Sequence, residues 1–159
     1  NFDHYFIGNM KQRFGEIAAG IKDSSGNWEN MAAIAQKVSD FKVYSGTETY
    51  LLETLLNGGA GCITATANLI ATECQQVFQD WKNDQLEDAK QKQKKLTLMR
   101  KAFESYPFVS ELKSIFADQK DLNEWRHAMP PFGLLTKNQL NVLKEKVEDL
   151  GLDLSKRLN

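Results

Sequence analysis

One lysine of the sequence lies where its amine could do chemistry. The stretch GIKDSSGN (residues 20–27) contains Lys22 at the end of a short apolar run, residues 17–22, that is closed by a cluster of turn residues. Such a pattern is typical of a buried strand that runs into a turn. Because alternate strand residues face the same way, Lys22 shares a face with Gly20 and Ser24, whose small side chains leave room around the amine.

Two interpretations of Lys22 are open from the strand alone. The ordinary one is a lysine whose ammonium reaches solvent or pairs with Asp23, and the strand by itself favours it. The other is imine chemistry, because desolvation disfavours an ammonium group and supplies the neutral amine that attacks a ketone to form a Schiff base.

Strands and helices alternate three times in the first part of the chain. The alternation is typical of βαβ units and predicts a parallel sheet whose strands are buried on both faces. Asn27 is the expected N-cap of the second helix. We predict strands at residues 17–22, 41–46 and 61–67, and helices at residues 2–14, 28–38 and 48–56.

The later part of the chain has helical patterns only. Prolines at positions 107, 130 and 131 interrupt it. The charged stretch at residues 86–96 is interpreted as a solvated helix face without a function of its own. Residues 1–82 are therefore predicted to form an α/β part, and residues 83–159 a helical region. The predicted helices are residues 69–81, 85–103, 108–116 and 138–150.

The composition argues against several classes of function. With 20 basic and 21 acidic residues the net charge is −1, so the chain lacks the basic surface that nucleic acid or an anionic membrane requires. The apolar runs are shorter than the roughly 20 residues that span a bilayer. Cys62 and Cys74 have no CxxC spacing, which favours a reducing cytoplasm, and His4 and His127 lie far apart, so no metal is expected.

Three segments in register carry a resemblance to a known family. GIKDSSGN is followed by FKVYSGTE (residues 41–48) and GGAGCITATANL (residues 58–69), and together they resemble the second half of the dihydrodipicolinate synthase and N-acetylneuraminate lyase family. The segment WRHAMPPF (residues 125–132) is similar to the family's segment before its last helix, so the resemblance covers essentially all of the chain. It implies the C-terminal half of a (βα)8 barrel, with strands six to eight followed by a helical extension.

The resemblance also implies a set of site residues. The family's lysine at the position of Lys22 forms the Schiff base with pyruvate, at the carboxyl end of a barrel strand. Gly46 and Ile63 fall where the family lines the pyruvate pocket. Glu48 falls where sugar-acid lyases of the family carry an acidic residue that meets substrate hydroxyls. No metal or organic cofactor is implied.

The implied activity is the condensation of pyruvate with an aldehyde, or the reverse cleavage. Chemistry like that of dihydrodipicolinate synthase is expected first, because Thr49 and Ala65 replace polar groups that sialic acid lyases use. A sugar-acid aldolase or an enzyme like N-acetylneuraminate lyase is the alternative. A non-catalytic half-barrel that binds a partner or a keto acid is the alternative from another class.

A full (βα)8 barrel takes about 250 residues, and this chain offers three strand patterns. The family's tyrosine motif on the fifth strand and its hydroxyl-rich motif near the second strand are not found, since Tyr5 belongs to a helical pattern. We therefore expect an enzyme only if the N-terminal half is supplied, in the same chain or another. The expected assembly is a homotetramer or complementation by that half, in the cytoplasm.

Overall fold

Three parallel strands form a small sheet in the first part of the chain. They are β1 (Gly20–Asp23), β2 (Lys42–Ser45) and β3 (Gly61–Cys62), in the order β1-β2-β3. Lys22 of β1 lies opposite Tyr44 of β2, which in turn lies opposite Gly61 of β3. The predicted alternation of strands with helices and the parallel pairing are confirmed.

The computed structural model describes residues 2–120 and 123–156. Residues 121–122 and 157–159, which the sequence assigned to the helical region, lie outside the described residues, as does residue 1. The chain divides after Leu96 into two compact units.

Seven α-helices occur among the described residues, and none of them is both long and apolar enough to cross a membrane. Short 3-10 helices occupy Gly15–Ile17, Glu48–Tyr50, Asn123–Arg126 and Leu154–Lys156. The α-helices are α1 (His4–Phe14), α2 (Trp28–Lys37), α3 (Leu51–Leu56), α4 (Ala67–Lys82), α5 (Leu86–Ala102), α6 (Phe108–Lys120) and α7 (Lys137–Asp149).

Side-chain caps fix where several helices begin. The Oδ1 atom of Asn27 accepts a hydrogen bond of 3.0 Å from the backbone N–H of Asn30, which confirms the predicted cap of α2. Thr136 and Gln139 form a capping box at the start of α7, each accepting a hydrogen bond from the other's backbone N–H.

Only one face of the sheet is covered by the described residues, so the prediction of strands buried on both faces is wrong for them. Gly20, Lys22 and Lys42 are exposed on the open face, where two lysines and a glycine offer little apolar area. The covered face packs on α1 and α2. Its core consists of Ile7, Met31, Ile34, Val38, Phe41 and Val43, with Ile21 against it.

All three strands are shorter than the sequence predicted. β1 begins at Gly20 because the preceding residues Gly15–Ile17 form a 3-10 turn, which leaves Ile17 87% exposed. β3 ends at Cys62, because the backbone N–H of Ala67 bonds to the carbonyl of Thr64 and the chain turns into α4.

The predicted apolar stripe of the first helix does not enter the core. Phe2, Phe6 and Phe14 are about half exposed, and α1 buries Ile7 instead. Ile7 packs against the core beneath the sheet.

The second unit, residues 97–159, has a helical core of its own. Phe103, Ile115, Leu143 and Val147 are buried in it. The same unit buries Glu111 completely, near the start of α6, where its Oε1 atom accepts a 3.0 Å hydrogen bond from the backbone N–H of Tyr106.

Burial raises the pKa of the Glu111 carboxyl to about 7. The Tyr106 hydrogen bond and the positive charges of Arg100 and Lys146 act in the opposite direction, and Glu104 adds to the rise. Desolvation therefore outweighs the groups that would stabilise the ionised carboxylate.

Candidate active site

Lys22 stands on the open face of the sheet, in β1, and its side chain is exposed. Among residues 2–120 and 123–156, no carboxylate forms an ion pair with its ammonium. The amine is therefore accessible to a ligand from the open side. It borders a pocket of about 510 Å³ that is lined by Phe2, Ile21, Lys22, Asp23, Ser24 and Ser25.

Asp23, the acidic neighbour that could have paired with Lys22, is engaged elsewhere. Alternation turns it to the covered face, where it is only 7% exposed. Its Oδ1 atom accepts a 2.7 Å hydrogen bond from the backbone N–H of Ser25, and its Oδ2 atom accepts one of 3.4 Å from the side chain of Asn30. Asp23 thus fixes the turn after β1 and ties it to α2.

Gly46 follows the last residue of β2 and lies close to the turn after β1. Its backbone N–H donates a 2.6 Å hydrogen bond to the carbonyl of Asp23. A Cβ atom at position 46 would lie 2.6 Å from the Oγ atom of Ser24 and 2.8 Å from its Cα atom. The close approach leaves room for no side chain, which accounts for a glycine at this position.

Ile63 follows the end of β3, and its side chain is 47% exposed. Its backbone N–H donates a 2.9 Å hydrogen bond to the carbonyl of Ser45, so the parallel ladder continues past the last strand residue. The register then puts Lys22, Gly46 and Ile63 on the same face, near the carboxyl ends of three adjacent strands.

Glu48, by contrast, is completely buried. Its Oε1 atom accepts a 2.5 Å hydrogen bond from the hydroxyl of Thr66, which is also buried. The hydroxyl of Thr64 lies 2.8 Å from that of Thr66 and continues the chain of hydrogen bonds outward. A direct contact between Glu48 and substrate hydroxyls stays a prediction.

Gln93 of α5 holds the turn after β2 in place, and it was not among the residues predicted from the sequence. Its side-chain amide donates hydrogen bonds of 3.0 Å to the carbonyl of Glu48 and 3.2 Å to that of Thr49. Its carbonyl oxygen accepts a 3.0 Å bond from the backbone N–H of Leu52. Gln93 lies in the charged stretch interpreted as a solvated face, and no local pattern distinguishes it there.

The sequence matches the profile of the Dihydrodipicolinate synthetase family over residues 12–150. It is 31% identical over 137 residues to a 4-hydroxy-tetrahydrodipicolinate synthase of Caldicellulosiruptor saccharolyticus, covering 84% of this chain and 45% of that protein. It is also 31% identical over 101 residues to a synthase of the same name from Listeria monocytogenes, covering 63% of this chain and 34% of that protein.

Solved structures of the same fold superpose on nearly the whole chain. YagE, a prophage protein of the dihydrodipicolinic acid synthase family from E. coli K12 in complex with pyruvate, gives a TM-score of 0.82 at 22% identity and covers 95% of this chain and 52% of its own. The dihydrodipicolinate synthase of Thermotoga maritima gives a TM-score of 0.79 at 18% identity and covers 94% of this chain and 51% of its own. The chain thus spans about half the length of the relatives it matches. Sequence and fold agree that it belongs to the Dihydrodipicolinate synthetase family.

Proposed function

We propose that this chain carries the imine-forming lysine of a pyruvate-dependent lyase of the 4-hydroxy-tetrahydrodipicolinate synthase type, with Lys22 as the nucleophile. The observation that carries the proposal is the position of Lys22, exposed on the open face near the carboxyl ends of three parallel strands and beside a pocket of about 510 Å³. Enzymes with (βα)8 barrels keep their chemistry at that end. In this proposal β1, β2 and β3 are the sixth, seventh and eighth strands of such a barrel.

The proposed reaction needs an amine and no metal or organic cofactor. The Nζ atom of Lys22 attacks the keto carbon of pyruvate, and loss of water leaves a carbon–nitrogen double bond. The protonated imine withdraws electrons from the pyruvate methyl group, which loses a proton and becomes an enamine. The enamine carbon then adds to the carbonyl of a small aldehyde, and hydrolysis of the imine releases the product and restores the amine.

We assign Gly46 and Ile63 to the walls of the pyruvate site on the open face, since they share the face of Lys22 at the strand ends. Neither of them lines the pocket of about 510 Å³ that borders Lys22. Glu48 supports the site from beneath by accepting the hydrogen bond of Thr66. The groups that relay protons and bind the pyruvate carboxylate, as well as a homotetrameric assembly and a cytoplasmic location, belong to the proposal through the family resemblance.

The test is reductive trapping with a matched lysine control. The protein is incubated with pyruvate and sodium borohydride, which reduces an imine to a stable secondary amine, and the adduct is located by peptide mapping. We expect the adduct at Lys22, its loss in Lys22→Arg, and its retention in Lys42→Arg. Lys42 is exposed on the same face, but at the other end of its strand.

Trapping at Lys42, or an adduct that persists in Lys22→Arg, would overturn the assignment. Consumption of pyruvate with added aldehydes then separates the alternatives. Turnover with aspartate semialdehyde supports the synthase, and turnover with sugar-acid aldehydes supports the aldolase. Trapping without consumption of any aldehyde supports a module that binds a keto acid without turnover.

A further inference from the structure

The turn between α3 and β3 contains the only asparagine of the sequence that is followed by a glycine, Asn57 before Gly58. Such a pair is chemically labile. Because glycine has no side chain, its backbone nitrogen can come close to the side-chain carbon Cγ of the asparagine. Attack at Cγ closes a five-membered imide and expels ammonia, and water then opens the ring to aspartate or isoaspartate.

Three hydrogen bonds hold the reacting groups of this pair. The Oδ1 atom of Asn57 accepts a bond of 2.8 Å from the side-chain amide of Gln36 on α2, and its Nδ2 atom donates one of 2.9 Å to the carbonyl of Glu53. The backbone N–H of Gly58 donates a bond of 3.3 Å to the carbonyl of Leu55. Both the leaving amide and the attacking nitrogen are therefore engaged at the end of α3.

The backbone of Asn57 is also turned the wrong way for ring closure. The reaction requires the Gly58 nitrogen to lie on the side-chain side of the Asn57 Cα–C bond. Asn57 caps the carboxyl end of α3 with φ of −101° and ψ of 19°, so this nitrogen points away from the side chain. Ring closure needs the last turn of α3 to open, and the fraction of open molecules then sets the rate.

We propose that Asn57 is a latent deamidation site, protected while the end of α3 is folded and reactive when that end opens. In the open form the Gly58 nitrogen loses its proton, bonds to Cγ and displaces the amide nitrogen, which leaves as ammonia. Water then breaks the new bond at Cγ, which gives aspartate, or the original peptide bond to Gly58, which gives isoaspartate. Water is the only co-reactant, and nothing is oxidised or reduced.

Deamidation would change the turn that leads into β3. A carboxylate at position 57 puts a negative charge at the carboxyl end of α3, where the helix dipole disfavours it, and it has no proton to donate to the carbonyl of Glu53. Isoaspartate lengthens the backbone close to Gly59, where space is short. A Cβ atom at position 59 would lie 2.8 Å from the carbonyl oxygen of Thr54 and 3.0 Å from that of Val43 in β2.

Ageing of the purified protein tests the proposal. The folded protein and the protein in urea are incubated at slightly alkaline pH, and deamidation is followed by peptide mapping and by enzymatic methylation of isoaspartate. Tandem mass spectrometry distinguishes Asn57 from Asn68, which shares the tryptic peptide of residues 43–82. We expect Asn57 to react before the other asparagines in urea, and at least about tenfold more slowly in the folded protein, because the hydrogen bonds at the end of α3 must first break.

A single variant tests the protection in the folded state. Gln36→Ala removes the hydrogen bond to Oδ1 of Asn57 and should speed deamidation about fivefold. Gln12→Ala, which truncates an exposed glutamine of α1, is the matched control and should leave the rate unchanged. Equal rates in the folded and unfolded protein, an unchanged rate in Gln36→Ala, or a faster reaction at another asparagine in urea would refute the proposal. The inference does not depend on the proposed function, since none of its readouts requires pyruvate.

Discussion

The two units of the chain each bury one glutamate completely, and the two carboxyls have different surroundings. Glu48, in residues 1–96, accepts a hydrogen bond from the buried Thr66 and lies in the turn that follows Gly46. Glu111, in residues 97–159, accepts a backbone hydrogen bond from Tyr106 near the start of α6, and its pKa rises to about 7.

The difference teaches that a buried carboxyl does not by itself mark a functional site. In the first unit Asp23, Ser45, Glu48 and Thr66 are buried at or beyond the carboxyl ends of the strands, where the candidate site is, whereas the buried Thr54 and Asp80 lie in α3 and α4. In the second unit the buried polar groups lie along α6, where Glu111 caps a helix start. The first carboxyl should matter for the pocket, and the second for folding and its dependence on pH.

The largest expected effect is that of Glu111 on how the free energy of unfolding depends on pH. As pH rises from about 4.5 to about 7, the unfolded chain gives up this proton while the folded chain retains it, so the free energy of unfolding falls by about 3 kcal/mol. Below about 4.5 and above about 7 this contribution no longer changes with pH. In Glu111→Gln the fall should be absent, as urea denaturation at a series of pH values would measure.

The control for Glu111 is Glu145→Gln, which removes an exposed carboxyl from the same unit and changes the net charge equally. If the free energy of unfolding depends on pH in the same way in the wild type and in Glu111→Gln, the proposed difference between Glu111 and Glu48 is wrong. Hydrogen exchange of the α6 amides at both ends of the pH range would locate the change in this unit.

An effect of about 1 to 3 kcal/mol is expected from Gly46→Ala, because the new Cβ atom collides with Ser24 at the junction of β1 and β2. Trapping of pyruvate at Lys22 should decrease with it, since Ser24 lies two residues away. Gly8→Ala is the matched control. No atom lies within 4 Å of a Cβ at position 8 in α1, and the change should stabilise the helix by about 0.5 to 1 kcal/mol. Destabilisation of the same size by both variants would argue against the collision.

A smaller effect, about 1.5 kcal/mol, is expected from Thr66→Val, which removes the hydrogen bond to the buried Glu48. Thr64→Val is its control. The Thr64 hydroxyl lies 2.8 Å from that of Thr66, and loss of a hydrogen bond between two neutral hydroxyls should cost about 0.5 to 1 kcal/mol. Chemical denaturation would measure both, and the rate of trapping at Lys22 would show whether the pocket depends on Thr66. Equal losses of unfolding free energy in the two variants would show that the hydrogen bond from Thr66 to the Glu48 carboxyl is no stronger than the one between the two hydroxyls.

The features that depend on a few neighbouring residues or on a periodic pattern could be predicted from the sequence. The parallel α/β order, the cap at Asn27 and the shared face of Gly20 and Lys22 follow from alternation and turn chemistry over a few residues. The bounds of the strands were less predictable, because the 3-10 turn at Gly15–Ile17 uses apolar residues that fit a strand equally well.

Contacts between residues far apart in the chain could not be predicted from local sequence patterns. Gln93 occupies a run of charged residues, and its role depends on three backbone groups far away in the chain. The open face of the sheet could not be foreseen either, since parallel strands are usually covered on both sides.

The hydrogen bonds of Gln93 also bear on the order in which the chain acquires its structure. They join residues 41 to 45 positions apart, from α5 back to Glu48, Thr49 and Leu52. Contacts of such separation form late, because the intervening chain must first lose its freedom. During synthesis, the turn that follows Gly46 therefore stays without these bonds until residue 93 has left the ribosome and α5 has docked.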